Sequence, residues 1–351
     1  MIARRAARKR DASPTCEAYY GGMQAPPAAA VAWCRSGRYF SWRSTLPENA
    51  AHAPLNIFWR CAGDRARPAI LLIHGYPTSS FDFAPLAHEL SQHYHVFALD
   101  TPGYGFSDKP RRGYRYSLFD DARLVDHFVR EVARLDDFVL FTHDKGDSVG
   151  LALLQLYQAY GASRPYRIGH HFITNGNVYL PLARLTLLQR LLLHPIAGRA
   201  LSALMSGAWL ARRLGRVAYS PPLGADDVAA LASIFEYQDG MRVQHDVIQY
   251  LDERKVHEVD WLQALARSDI PTTLVWGERD TIAPTAVADY LWSASLVRRS
   301  ASAASWRIPC ANHCLQSDHP ALLAAIVRAT LEPGTPPPTA PDAECQPVRL
   351  K

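Results

Sequence analysis

The sequence predicts an α/β fold: a mostly parallel, eight-stranded sheet flanked by helices and carrying an inserted helical cap. Three observations predict it. Short apolar runs alternate with helical patterns along most of the 351 residues. The runs are apolar throughout, as strands buried on both faces require. One long interval, 177–265, breaks the rhythm and is helical without a convincing strand.

Residues 1–36 are rich in Ala, Arg and Pro, lack periodicity, and read as a disordered tail. Leu55–Arg60 and Ala69–Ile73 read as strands, as do His95–Leu99, Phe138–Thr142, Ile168–Thr174, Thr272–Trp276 and Ser305–Ile308. Helices fit at Leu118–Leu135, Val149–Tyr160, Thr285–Trp292 and Pro320–Leu331. The core is therefore split into 37–176 and 266–331 around the cap at 177–265. Residues 332–351 carry Pro333, Pro336, Pro337, Pro338, Pro341 and Pro347, and read as a second disordered tail.

With 48% hydrophobic and 20% charged residues, the chain is neither wholly disordered nor a fibrous repeat. Net charge is +5, and Arg4, Arg5, Arg8, Lys9 and Arg10 supply that excess. The body is then neutral, which excludes a folded nucleic-acid-binding face. No apolar stretch follows Arg10, so the leader is not a secretory signal. No run can cross a bilayer, because Arg190, His194, Pro195 and Arg199 cut the best candidate. The Leu-rich stretch from Leu185 to Leu214 suits an apolar entrance, a partner or a membrane surface. The six cysteines lack CxxC spacing, which predicts reduced thiols in a cytoplasmic protein and no zinc or other metal.

In open α/β sheets, ligands bind at the carboxyl ends of the strands. After Phe138–Thr142 comes His143-Asp144-Lys145-Gly146-Asp147-Ser148, a strand-to-helix elbow with small residues around one protruding side chain. That side chain is Asp144. Alone it could cap the following helix. As a nucleophile it attacks an sp³ carbon and forms an ester, and hydrolysis then occurs at its own carbonyl. After Ala69–Ile73, His74-Gly75-Tyr76-Pro77 can aim the N–H of Tyr76, with that of Lys145, at one oxyanion. His74 reads as a brace for that loop. Asp280 follows Thr272–Trp276 at a strand end, with Glu278 nearby in the turn. His313, ahead of the final helix, is the candidate water-activating base. Asp100, in DTPGYGFSD, belongs to a tight structural loop of the pocket wall.

HGYPTSS, DTPGYGFSDKP, HDKGDS, GERD and NHCLQSDHP, in that order, resemble the α/β-hydrolase superfamily. The similarity lies in its epoxide hydrolase and haloalkane dehalogenase branch, nearest the mesoderm-specific transcript protein-like hydrolases. The resemblance implies hydrolysis of a small apolar alkyl electrophile by water, without cofactor. An epoxide is the first choice. Haloalkane dehalogenation, ester hydrolysis and a non-catalytic binding protein are the alternatives. Dehalogenases hold halide where Lys145 and Tyr76 stand here, so that clamp is absent or rebuilt. The resemblance implies Asp280 as the charge-relay acid, since the other position that some Asp-nucleophile enzymes use reads Asn175-Gly176-Asn177 here, with no carboxylate. It also places Tyr250, in VIQYLDERK, as the cap tyrosine that protonates the leaving oxygen. Tyr219 and Tyr237 are candidates for a second. Lys145 is expected to pair with Asp147. The oligomeric state is left open.

Overall fold

The computed structural model describes residues 15–351. The basic leader lies outside them. In chain order the structure has α1 (Cys16–Gly21), α2 (Ala28–Arg35), β1 (Gly37–Trp42), β2 (Leu55–Ala62) and β3 (Ala69–Ile73). Next come α3 (Ala84–Leu90), β4 (His95–Leu99), α4 (Leu118–His127), β5 (Asp137–His143), α5 (Lys145–Ala159) and β6 (Arg167–Thr174). The cap follows as α6 (Leu187–Leu193), α7 (Ala197–Leu204), α8 (Gly207–Val217), α9 (Ala225–Glu236), α10 (Gln244–Ile248) and α11 (Tyr250–Ala266). The chain then returns through β7 (Thr272–Gly277), α12 (Thr285–Leu291), β8 (Ala303–Ile308), α13 (Leu315–Asp318), α14 (Pro320–Leu331) and β9 (Val348–Arg349).

Among the described residues the sheet has nine strands, one more than expected, in the order β1-β2-β4-β3-β5-β6-β7-β8-β9. The pairings from β4 through β8 are parallel; β1–β2, β2–β4 and β8–β9 are antiparallel. Alternate residues of the central strands feed two cores. Leu71, Ile73, Leu140 and Leu274 join one face; Ile70, Leu72, Phe141 and Val275 join the other. This two-sided burial explains why the runs are apolar without alternation.

Both expected tails are corrected over the described residues. Residues 15–36 form α1 and α2, whose Tyr20, Ala30 and Trp33 are buried in the second core. Tyr19 and Tyr20 bond Ser233 on α9 at 2.9 and 3.0 Å. Aromatic anchors, not periodicity, order this segment. At the other end β9 pairs with β8 through two residues beyond the last proline, so no ladder donor is lost.

The reading of reduced thiols is also corrected. Cys16 is bonded to Cys34, and Cys310 to Cys345. Cys61 and Cys314 are free. Each bond fastens an end segment, which sequence spacing could not reveal. The thiol argument for a cytoplasmic location therefore falls. Among the described residues, no helix is long and apolar enough to cross a membrane.

Candidate active site

Asp144 sits between β5 and α5 with φ 52° and ψ −114°, a backbone region that a non-glycine residue occupies only under strain. Its side chain makes no capping bond to α5. It turns instead toward the loop after β3, where the Tyr76 N–H donates to Oδ1 at 2.8 Å. The turn is tight enough to need glycine on both sides. A Cβ on Gly146 would meet the Ile73 carbonyl oxygen at 2.3 Å, and one on Gly75 would meet the Asp144 Cβ at 2.6 Å. Lys145 opens α5, so its N–H has no carbonyl one turn back to bond.

His313 Nε2 lies 3.7 Å from Asp144 Oδ2, and its Nδ1 lies 2.8 Å from Asp280 Oδ2. Asp280 Oδ1 accepts from the N–H groups of Ile282 and Ala283 at 2.7 and 2.9 Å. Asn175 donates to Asp280 Oδ2 at 2.8 Å and accepts from the Gly277 N–H at 3.0 Å. Burial alone would drive His313 toward neutrality. Asp280 opposes it, helped by Asp144 and Asp82, and together they lift the imidazolium to about 9.

His74 Nε2 accepts from the Thr101 N–H at 3.0 Å, so its proton is on Nδ1, facing the Gly75 carbonyl at 2.8 Å. Burial, aided by the Lys145 charge, brings it down to about 3, so it is a neutral brace. Asp100 accepts from the N–H groups of Ser80 and Phe106 and ties the loops after β3 and β4 together.

The expected Lys145–Asp147 pair is corrected. The Lys145 ammonium bonds Asp121 Oδ2 at 2.5 Å and Thr101 Oγ1 at 3.2 Å. It also stands over the Tyr104 ring at 4.6 Å. Asp147 accepts from Thr142 Oγ1 at 2.5 Å, and burial pushes its carboxyl well above the usual range. As neighbours in the first turn of α5, the two side chains leave the helix in different directions. Asp121, one turn into α4, is the closer partner.

Tyr250 begins α11 and is buried, with its ring 5.8 Å from that of Tyr76. Burial and the Asp144 charge push its phenol up; Arg254, one turn further on, opposes them. The other cap candidates are engaged elsewhere. Tyr219 donates to Asp82 Oδ1 at 3.2 Å, and Tyr237 packs edge-on against Tyr19 and Phe106.

Three site residues escaped the sequence reading. Tyr104 is buried, and its hydroxyl has no hydrogen-bond partner among the described residues. Burial raises its phenol, with further pushes from Tyr250, Asp121, Tyr76 and Asp144. Its flanking glycines, Gly103 and Gly105, were the available signal. Arg254 is buried, donates to Ser148 Oγ at 2.9 Å, and lies 4.9 Å over the Tyr250 ring. Its Nη2 has no partner among the described residues. Asp82 is buried near His313, and burial lifts its carboxyl to about 7. It also lines a 590 Å³ cavity with Trp33, Phe81, Tyr219 and Leu231, between α2, α3 and α9.

A nine-stranded sheet of this order, with Asp144, His313 and Asp280 together at its strand ends and helices between β6 and β7, is the architecture of the alpha/beta hydrolase fold. The alpha/beta hydrolase fold family matches residues 68–320, and the chain belongs to it. It is 36% identical over 228 residues to the putative hydrolase LipZ of Mycobacterium tuberculosis, covering 64% of this chain and 77% of that one. It is 31% identical over 261 residues to the mesoderm-specific transcript protein of Mus musculus, covering 72% and 73%. Among solved structures, a putative ancestral haloalkane dehalogenase superposes with a TM-score of 0.65 at 19% identity. That match covers 83% of this chain and 96% of the other, and shows the shared fold.

Proposed function

We propose that the protein hydrolyses an alkyl electrophile, an epoxide first of all, through an ester on Asp144. One observation carries the reading: the Asp144 carboxylate lies between a backbone donor on Oδ1 and the His313 imidazole near Oδ2. Oδ2 attacks the epoxide carbon, the C–O bond breaks, and Tyr250 gives its proton to the departing oxygen. Oδ1 remains as the ester carbonyl. His313 then takes a proton from water, which attacks the Asp144 carbonyl carbon. The Tyr76 and Lys145 N–H groups hold the oxyanion. As it collapses, the bond from the Asp144 carbonyl carbon to the substrate oxygen breaks, His313 returns its proton to that oxygen, and the diol leaves. Asp144 is left as a carboxylic acid, whose proton passes through solvent to the Tyr250 phenolate.

The charges around His313 suit this order. Before alkylation Asp144 helps to hold the imidazolium proton. Esterification removes that negative charge, so the imidazole loses its proton more readily when a base is needed. Halide release is the weaker reading, because the Lys145 ammonium is already taken by Asp121. A single turnover in ¹⁸O-labelled water tests the route. Label should appear in the peptide containing Asp144. Label in the product alone would mean direct attack by water and end the proposal.

A further inference from the structure

The first three cap helices, α6 to α8, carry exposed side chains that the reaction does not use. From Asn177 to Ala225 the chain has six arginines and no Asp or Glu. Arg184, Arg190, Arg199, Arg212, Arg213 and Arg216 are all exposed. None forms an ion pair among the described residues.

Large apolar side chains are exposed on the same stretch. Leu187 is 69% exposed, Ile196 79% and Leu204 85%, joined by Leu191, Trp209 and Val217. Single exposed apolar residues are ordinary; a succession over three helices is not. The spacing is helical. On α8, Trp209, Arg212, Arg213, Arg216 and Val217 form one exposed stripe, while Leu210, Ala211 and Gly215 are buried. On α6, Leu187, Arg190 and Leu191 repeat the pattern, with Leu192 buried.

We propose that this face docks the cap on the surface of an anionic lipid bilayer. Aliphatic side chains and Trp209 would enter the boundary of the acyl chains, while the arginines reach lipid phosphates. Charge argues against a second copy of the chain. A two-fold contact through this face would bring twelve arginines together with no carboxylate from either stretch. The inference stands whichever bond the site cleaves.

Flotation of the full chain with vesicles tests it, comparing neutral phosphatidylcholine with phosphatidylcholine containing phosphatidylglycerol. Binding should need the anionic lipid and weaken as salt rises. Each arginine near such a surface is worth about fivefold in partitioning. The triple variant Arg212→Gln, Arg213→Gln, Arg216→Gln should therefore bind about 100-fold more weakly. Ile196→Ser with Leu204→Ser should also lose binding, with melting temperature unchanged in both variants. A chain with Arg4, Arg5, Arg8, Lys9 and Arg10 changed to Gln should still bind through the cap. No binding to either vesicle would overturn the proposal, as would binding that only the leader variant abolishes. So would a concentration-dependent dimer that the cap variants dissociate.

Discussion

Asp280 and Arg254 are both buried charges beside the site, and the sheet core and the cap treat them differently. Asp280 receives Asn175, Ile282 and Ala283 on its two oxygens and faces His313. Arg254 keeps one hydrogen bond, to Ser148, and leaves Nη2 unpartnered among the described residues. The core half is preorganised: its donors already point where charge must be held, and no reorganisation is needed during reaction. The cap half retains unspent polar capacity at Arg254 Nη2. The core half suits nucleophile and base; the cap half suits a group that arrives with the substrate.

The most severe way to break the core half is Asp144→Asn, which removes the proposed nucleophile and a charge that supports the imidazolium. Turnover should fall about 10⁴-fold or more. The His313 imidazolium, followed by NMR titration, should drop below its value of about 9. Retention of substantial turnover would return Asp144 to a structural role.

The next largest effect lies on the cap side. An opening epoxide releases a strong base, so a proton donor contributes about 10²–10⁴-fold. Tyr250→Phe should slow epoxide turnover by that range, yet scarcely affect alkylation by a bromoalkane of the same carbon skeleton, whose leaving group needs no proton. Arg254→Met should slow the epoxide reaction about tenfold, because the phenolate formed loses its nearest cation. Equal losses on both electrophiles would mean packing damage and would erase the distinction between the two halves.

Stability against pH sharpens the comparison further. His313 is raised from about 6.5 in the unfolded chain to about 9, so its contribution is complete below pH 6.5 and lost as pH rises through 9. Asp82 and Asp318 are each lifted by burial to about 7, so their preference for the proton also favours the fold at low pH and fades as pH passes 7. All three act in one direction. Lys109, brought down to about 7 by burial, acts in the opposite direction and gains stability over the same range. The His313 part is therefore read from a difference: the stability gap between wild type and His313→Gln should shrink by on the order of 3 kcal/mol between pH 6.5 and 9.5. A gap that does not change with pH would show that the carboxylates do not hold the imidazolium.

How much of this was legible in the sequence follows from the range of each signal. Ala69–Ile73 and Thr272–Trp276 announced themselves because burial on both faces leaves a local mark. The elbow and the loops bearing Asp280 and His313 were legible because strand ends bring them together. Pairings across the fold were not. Asp121 lies 24 residues before Lys145, and nothing local names it as the partner. Arg254 carries no local mark, since its burial comes from packing between α11 and α5. Cys34 gave no hint of Cys16, because an irregular turn joins their helices.

The smallest effect is expected at Asn175, which supports Asp280 rather than touching reacting atoms. Its amide donates to Asp280 Oδ2, and its φ of 46° is a conformation that Asn and Gly tolerate better than Ala. Asn175→Gly keeps the backbone and removes the amide. Without that N–H, Asp280 Oδ2 has one donor fewer to share its charge with and holds the His313 imidazolium more tightly. Less neutral His313 is then available, so ester hydrolysis near pH 7 should slow about threefold to tenfold. The pH–rate profile should move to higher pH, and the alkylation step should stay nearly unchanged. Asn175→Ala should show the same shift and lose about 1 kcal/mol more stability, the cost of a Cβ at positive φ. A profile that moved to lower pH would mean that Asn175 does not temper Asp280, and that the core half is less firmly set than its hydrogen bonds imply.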